Sequence, residues 1–288
     1  MFYMGRKVII TCALVGSATR KNSNPSTPYT PQELAEAAHL AYKAGAAMVH
    51  VHSIEDDGAN STNPERIKAS HDAVKARTPE LIVNMTSALG VGATAEQRRA
   101  QIEYVKPEMS SLNMATMNFA SVNRKTGEVF DYTFENQLNM VAEFVKTMKR
   151  VGTKPELEVY QTGGIDNYHV LSASGDFTDP VNFNFVFGVC GGAAFRPSGF
   201  LAMKDAIPPN ANFTACGVGK DEWPAITQSI LCGGHVRVGL EDNVRMPNGA
   251  LAKGNYELVE QAVRIIEGLG CEVATPDEAR KIFGTTKK

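Results

Sequence analysis

Two histidines one residue apart, His50 and His52, are the sharpest chemical signal in the sequence. They close the run Ala47-Met48-Val49-His50-Val51-His52, which reads as a strand. Side chains alternate faces along a strand. Both imidazoles therefore share one face, and Val49 and Val51 the other. Two adjacent imidazoles can bind one metal ion, and catalytic zinc sites commonly add a carboxylate and leave a position open for substrate. Glu241 is the best third ligand, near the end of the last predicted strand. Asp242 follows it and is free to act as a base. Arg237, four residues before Glu241, could neutralise a carboxylate, orient Asp242 or pair with Glu158. His39, His71 and His169 read as surface or packing residues, and His235 as structural. Glu55-Asp56-Asp57 reads as a solvated acidic turn.

Composition narrows the field. The 288 residues carry a formal net charge of −2, so there is no basic footprint for nucleic acid. No apolar run is long enough to span a membrane. The N-terminus lacks the order of a signal peptide and leads straight into a strand. Cys12, Cys190, Cys216, Cys232 and Cys271 are scattered and odd in number. That argues for reduced thiols and a cytoplasmic location rather than a disulfide frame.

The elements that position the histidines alternate regularly. Strands are expected at 8–14, 47–52, 81–87, 109–115, 155–161, 182–189, 212–217 and 235–242. Helices follow them, opened by Thr30-Pro31-Gln32-Glu33, Asn63-Pro64-Glu65 and Thr94-Ala95-Glu96, which carry N-cap chemistry. A long helix is expected over 134–151 and another over 252–269, with a short one from Pro276. Residues 121–133 form a polar insert, with a hairpin around Thr126-Gly127. Eight such units with no linker predict one (β/α)8 TIM barrel over 1–288. An open doubly wound sheet is the competitor, but the first turn has no G-x-G-x-x-G.

Catalytic residues of such barrels sit at the C-terminal ends of strands. Thr86 and Asn84 share a face of the third strand, Ser111 and Asn113 a face of the fourth. Glu156, Glu158 and Tyr160 share one in the fifth, and Arg237, Gly239 and Glu241 one in the eighth. Polar faces like these are costly to bury without a task. Gly188, Gly191 and Gly192, together with Lys220 after the seventh strand, could receive a phosphate.

The residues alone leave several chemistries open. Two histidines and a carboxylate also suit a metal-dependent aldolase or hydrolase, a non-haem iron oxygenase or a metal-stabilised sensor. The chain also resembles the β-keto acid cleavage enzymes along nearly its whole length. The resemblance is carried by Thr11-Cys12-Ala13-Leu14-Val15-Gly16, by Gly45-Ala46-Ala47-Met48-Val49-His50-Val51-His52 with Glu55-Asp56-Asp57-Gly58, by Pro107-Glu108-Met109-Ser110-Ser111-Leu112-Asn113, by Pro155-Glu156-Leu157-Glu158-Val159-Tyr160, and by Gly233-Gly234-His235-Val236-Arg237-Val238-Gly239-Leu240-Glu241-Asp242-Asn243.

That resemblance implies a homotetrameric TIM barrel with one divalent metal, usually zinc, and acetyl-CoA as co-substrate. The implied reaction is a Claisen-type exchange in which a β-keto acid and acetyl-CoA give acetoacetate and a new acyl-CoA. By match, His50, His52 and Glu241 hold the metal. Asp242 is the base, working with Thr86. Ser111 and Asn113 grip the substrate carboxylate, Arg237 assists and Glu158 lines the pocket. Two positions depart from the family pattern. Ala18 stands where members acting on an aminated substrate carry Glu, and Ile54 replaces an Arg. The expected substrate tail is therefore neutral or apolar rather than a primary amine, with a quaternary ammonium held by aromatics as the other option.

Overall fold

The computed structural model describes residues 5–123 and 126–288. Eight parallel strands close on themselves: β1 (Ile10–Ala13), β2 (Met48–Val51), β3 (Ile82–Met85), β4 (Met109–Asn113), β5 (Lys154–Val159), β6 (Asn182–Phe187), β7 (Asn212–Gly217) and β8 (His235–Val238). Their order around the barrel is their order in the chain, and β8 returns to β1 with Arg237 beside Thr11. This is the expected (β/α)8 barrel. Its helices are α1 (Pro31–Ala44), α2 (Pro64–Arg77), α3 (Ala95–Val105), α4 (Leu138–Val151), α5 (Thr162–Ser172), α6 (Pro197–Ala206), α7 (Glu222–Leu231), α8 (Asn255–Gly268) and α9 (Pro276–Phe283).

Alternation in the strands decides the layering. Val49, Val51, Val83, Val236 and Val238 point outward into a core shared with the apolar stripes of α1, α2, α7 and α8, among them Leu34, Ala38, Val74, Ile230, Val259 and Ile266. On the other side Phe183, Phe185, Phe187, Phe200 and Phe213 form an aromatic cluster. Burying each side chain of this size contributes roughly 1.5–3 kcal/mol. Ile9, Met48, Ile82 and Met109, at the strand starts, pack against Ala279 and Phe283 of α9, which plugs the bottom. Above the plug the inward positions become polar, with Thr11, Asn84, Ser111, Glu156 and Asn184 all buried.

The three helix starts read from N-cap residues hold. Thr30 and Glu33 form a capping box at α1, and Asn63 caps α2. At α3 the box closes on Gln97 rather than Glu96. Three expectations need correction. The predicted insert belongs to a longer hairpin, Met117–Val122 paired antiparallel with Val129–Phe134, so Phe134 ends a strand and α4 starts at Leu138. Arg124 and Lys125 of that insert lie outside the described residues, as do Met1 to Met4. The last strand stops at Val238 instead of Asp242. Gly239 turns the chain there at φ 146°, where a Cβ would run into the Ala13 backbone. The helix expected over 252–269 begins at Asn255. Among the described residues no helix is long and apolar enough to cross a membrane.

Candidate active site

The tops of the strands surround a cavity of about 330 Å3. His50 and His52 reach it from β2 and its end, with ring centroids 5.2 Å apart. Glu241 reaches it from the turn after β8. Its Oε2 lies 3.7 Å from His50 Nε2, and its Oε1 3.5 Å from His52 Nε2. One ligand atom from each of the three falls within 4.8 Å of the others. Gly16 makes this approach possible, because a Cβ there would overlap the Glu241 side chain.

Arg237 lies at the centre of the charges. It donates Nε to Asp242 Oδ2 at 2.8 Å and Nη2 to Asp242 Oδ1 at 2.9 Å, a bidentate grip. Its Nη2 also lies 2.7 Å from Glu241 Oε1, and its Nη1 3.2 Å from Glu158 Oε1. Both tasks expected of Arg237, pairing with Glu158 and orienting Asp242, are met together. Asn113 donates Nδ2 to Glu158 Oε2 at 3.1 Å.

The turn that carries Glu241 and Asp242 is fastened from behind. Glu222 accepts from Asn243 Nδ2 at 2.7 Å and from the Gly239 amide at 3.4 Å, while Asn255 Oδ1 accepts from the Leu240 amide at 2.9 Å. Glu222 and Asn255 open helices α7 and α8 and carry no motif that would have marked them in the sequence.

Electrostatics suit a cation. Three carboxylates, the buried Glu158 and Asp242 and the half-buried Glu241, face the single guanidinium of Arg237. Among the described residues Glu241 Oε2 is buried without a hydrogen-bond partner. Burial holds His50 well below its usual pKa against the pull of Glu241. It therefore stays a neutral imidazole, the ligand form. For Glu241, burial works upward, but the Arg237 guanidinium outweighs it and holds the carboxylate ionised. Burial raises the Asp242 carboxyl above its ordinary value, with Arg237 opposing and Glu241 reinforcing. A carboxylate raised in this way is a better proton acceptor. The donor set, two imidazoles and an ionised carboxylate, fits a divalent metal.

Ala18, Thr86, Asn113 and Glu158 line the same cavity as His50, His52, Arg237, Glu241 and Asp242. The Thr86 hydroxyl bonds to the Ala88 backbone, accepting from its amide at 3.0 Å. Ser111 lies one layer deeper than Asn113 and is 1% exposed. Gly191, Gly192 and Lys220 lie outside the cavity lining. The glycines serve packing: a Cβ on Gly191 would strike the Asn118 carbonyl of the hairpin, and one on Gly192 would crowd the Tyr160 ring. Lys220 sits exposed on the short turn Gly219–Asp221 at the rim. Ile54 is buried in the outer core.

Sequence reasoning missed the aromatic wall of the cavity. Phe119, Tyr132 and Phe134 of the hairpin meet Tyr160 there, with Phe119 and Tyr132 stacked at 5.8 Å. Its signal was the period-two spacing of Phe130, Tyr132 and Phe134. The other histidines fall where expected. His235 Nδ1 accepts from the Ile9 amide at the barrel bottom at 3.1 Å, and Asp56 of the acidic turn pairs with Arg66.

The family model for beta-keto acid cleavage enzyme matches residues 7–285. The chain is 41% identical to the 3-keto-5-aminohexanoate cleavage enzyme of Acetoanaerobium sticklandii, covering 98% of this chain and 99% of that one. It is 31% identical to the 3-dehydrocarnitine:acetyl-CoA trimethylamine transferase of Rhizobium meliloti, over 99% of each chain. Among solved structures, ObcA in a ternary complex with a C4-CoA adduct and oxalate shares the fold, with a TM-score of 0.73 and 23% identity over 90% of this chain and 68% of that one. The chain belongs to the beta-keto acid cleavage enzyme family and is an enzyme of that kind.

Proposed function

We propose that the enzyme condenses a β-keto acid with acetyl-CoA and cleaves the adduct to acetoacetate and a new acyl-CoA. The observation that carries this reading is the meeting, in one cavity, of His50, His52 and Glu241 with an Asp242 gripped by Arg237. The acetyl-CoA in the name of the Rhizobium relative, a 3-dehydrocarnitine:acetyl-CoA trimethylamine transferase, supports the co-substrate. His50, His52 and Glu241 would hold a divalent metal, zinc by preference of the donor set. When bound, it supplies Lewis acidity toward the substrate's carbonyl oxygens.

Asp242 removes a proton from the carbon between ketone and carboxylate. The carbanion attacks the acetyl-CoA thioester and releases the CoA thiolate. That thiolate adds to the former ketone carbon, the carbon–carbon bond breaks, and the departing acetoacetate carbanion recovers the proton from Asp242. Arg237 offsets negative charge as it develops on oxygen, with Glu158 and Asn113 fixing its direction. Asn113 grips the substrate carboxylate, with Ser111 beneath it, and the Thr86 hydroxyl works alongside Asp242. CoA lies over the rim, between the Gly188–Gly192 loop and Lys220. The tail faces Ala18 and the hairpin aromatics and is uncharged. The enzyme works as a cytoplasmic homotetramer.

Incubation with acetyl-CoA and a panel of β-keto acids, read by mass spectrometry with and without a chelator, tests the reading. A new acyl-CoA should form with acetoacetate, vanish on chelation and return with zinc. Absence of exchange across the panel, with metal verified in the protein, overturns the reaction class. A clear preference for a primary amine tail overturns the tail assignment.

A further inference from the structure

Beneath the cavity, three buried side chains form a line that ends on His50. Asn84 on β3 stands opposite His50 of β2 in the strand register. It donates Nδ2 to Glu156 Oε2 of β5 at 2.6 Å. All three residues are at most 1% exposed. This bond fixes the amide's orientation. With its NH2 group committed to Glu156, the Asn84 carbonyl Oδ1 must point elsewhere. Oδ1 is buried, and so is His50 Nδ1. Among the described residues neither has another partner at full hydrogen-bonding geometry. Asn84 is also a hydrogen-bonding neighbour of the His50 ring. The opposite ring nitrogen, Nε2, faces Glu241.

We propose that Asn84, oriented by Glu156, is a positioning residue for metal binding: its carbonyl accepts the His50 Nδ1 proton and so leaves the Nε2 lone pair aimed at the metal. The inference rests on reading His50, His52 and Glu241 as ligands. Its physical basis is that a ligating imidazole carries its one proton on the nitrogen away from the metal, and a hydrogen bond there fixes tautomer and ring angle. A neutral amide does this without adding a negative charge beside Glu241. Glu156 acts at one remove, because a free amide could present its NH2 to the imidazole and favour the wrong tautomer.

The test has two parts, both read without turnover. Long-range 1H–15N NMR of chelator-stripped wild-type protein should show His50 as the Nδ1–H tautomer. The Nε2–H tautomer overturns the proposal whatever any variant does. Zinc titration against a competing chelator then compares variants. Asn84→Leu should lose roughly 10–100-fold in zinc affinity, and Glu156→Leu should follow it. Glu156→Gln keeps an accepting oxygen for Asn84 and should stay within about threefold. A folded Asn84→Leu variant with wild-type zinc affinity overturns the proposal. If both leucine variants fail to fold, the wild-type tautomer still decides. A wild type that takes up no zinc overturns the metal reading itself, a failure seen before any variant is compared.

Discussion

Glu156 and Asp242 show how burial tunes two carboxylates in one barrel. Burial, reinforced by Glu158, pushes the Glu156 carboxyl up to about 7 from an ordinary 4.5. The folded chain then holds a proton that the unfolded chain has released, so stability falls as pH rises from about 4.5 through 7 and the loss is complete above that. The difference corresponds to roughly 3 kcal/mol. In urea titrations of chelator-treated protein at pH 5 and pH 8, Glu156→Gln should lose most of this decline. Equal declines in variant and wild type would sink the prediction. Asp242 faces the cavity, and its proposed work is proton transfer. Asp242→Asn should lower kcat by about 10²–10⁴-fold with zinc content unchanged. Activity within a few-fold of wild type would remove Asp242 from the base's role. The histidine pair and the Arg-x-Gly-x-Glu-Asp run were legible because each lies within a few residues. Glu222 and Asn255 were not recognised, and Asn84 was placed on the inward face without its partners, since an isolated polar residue carries no record of what lies across the barrel.

At the scale of elements, the hairpin and the loop after β6 shape one wall of the cavity. The hairpin seats on that loop through the Ala120–Cys190 bridge, and Gly191, at φ 98°, lets the Asn118 carbonyl come close. A methyl group there must push the hairpin outward and open the aromatic wall. Gly191→Ala should raise KM for the β-keto acid by roughly tenfold while largely preserving kcat, the pattern of lost ground-state binding. The melting temperature should fall by only about a few degrees, because the hairpin lies outside the barrel ladder. Unchanged KM would show that the wall does not touch substrate. The turn after β8 is the second such element. Gly239 ends the strand early, and the two residues that follow Leu240 then aim different carboxylates into one space.

The whole molecule depends on a closed barrel whose lower end is sealed by α9. Arg280 on that helix donates Nε and Nη2 to the two oxygens of Glu108 at 2.8 and 3.1 Å, and Nη2 also to the Glu80 carbonyl at 2.8 Å. Both ion-pair partners are buried. Arg280→Met leaves Glu108 buried without its charge partner and should cost about 3–5 kcal/mol. Adding Glu108→Met should recover most of that loss, since the pair's net worth is small once both charges are gone. Chemical denaturation of the single and double variants checks this. A single variant as stable as wild type would show that α9 is held by its apolar contacts alone.

The sequence by itself determined the alternation of strands and helices, the outward valines and inward polar residues of each strand, and the shared face of His50 and His52. These are local properties: a period of two or 3.6 residues sets which way a side chain points. Only the tertiary structure decided that Glu241 reaches the histidines from a turn, that Ser111 lies a layer below Asn113, that the glycines at 191 and 192 make room for the hairpin and Tyr160, and that Asn84 stands between Glu156 and His50. The separation of residues far apart in the chain depends on barrel closure and strand stagger, and those are fixed by the packing of all eight strands together.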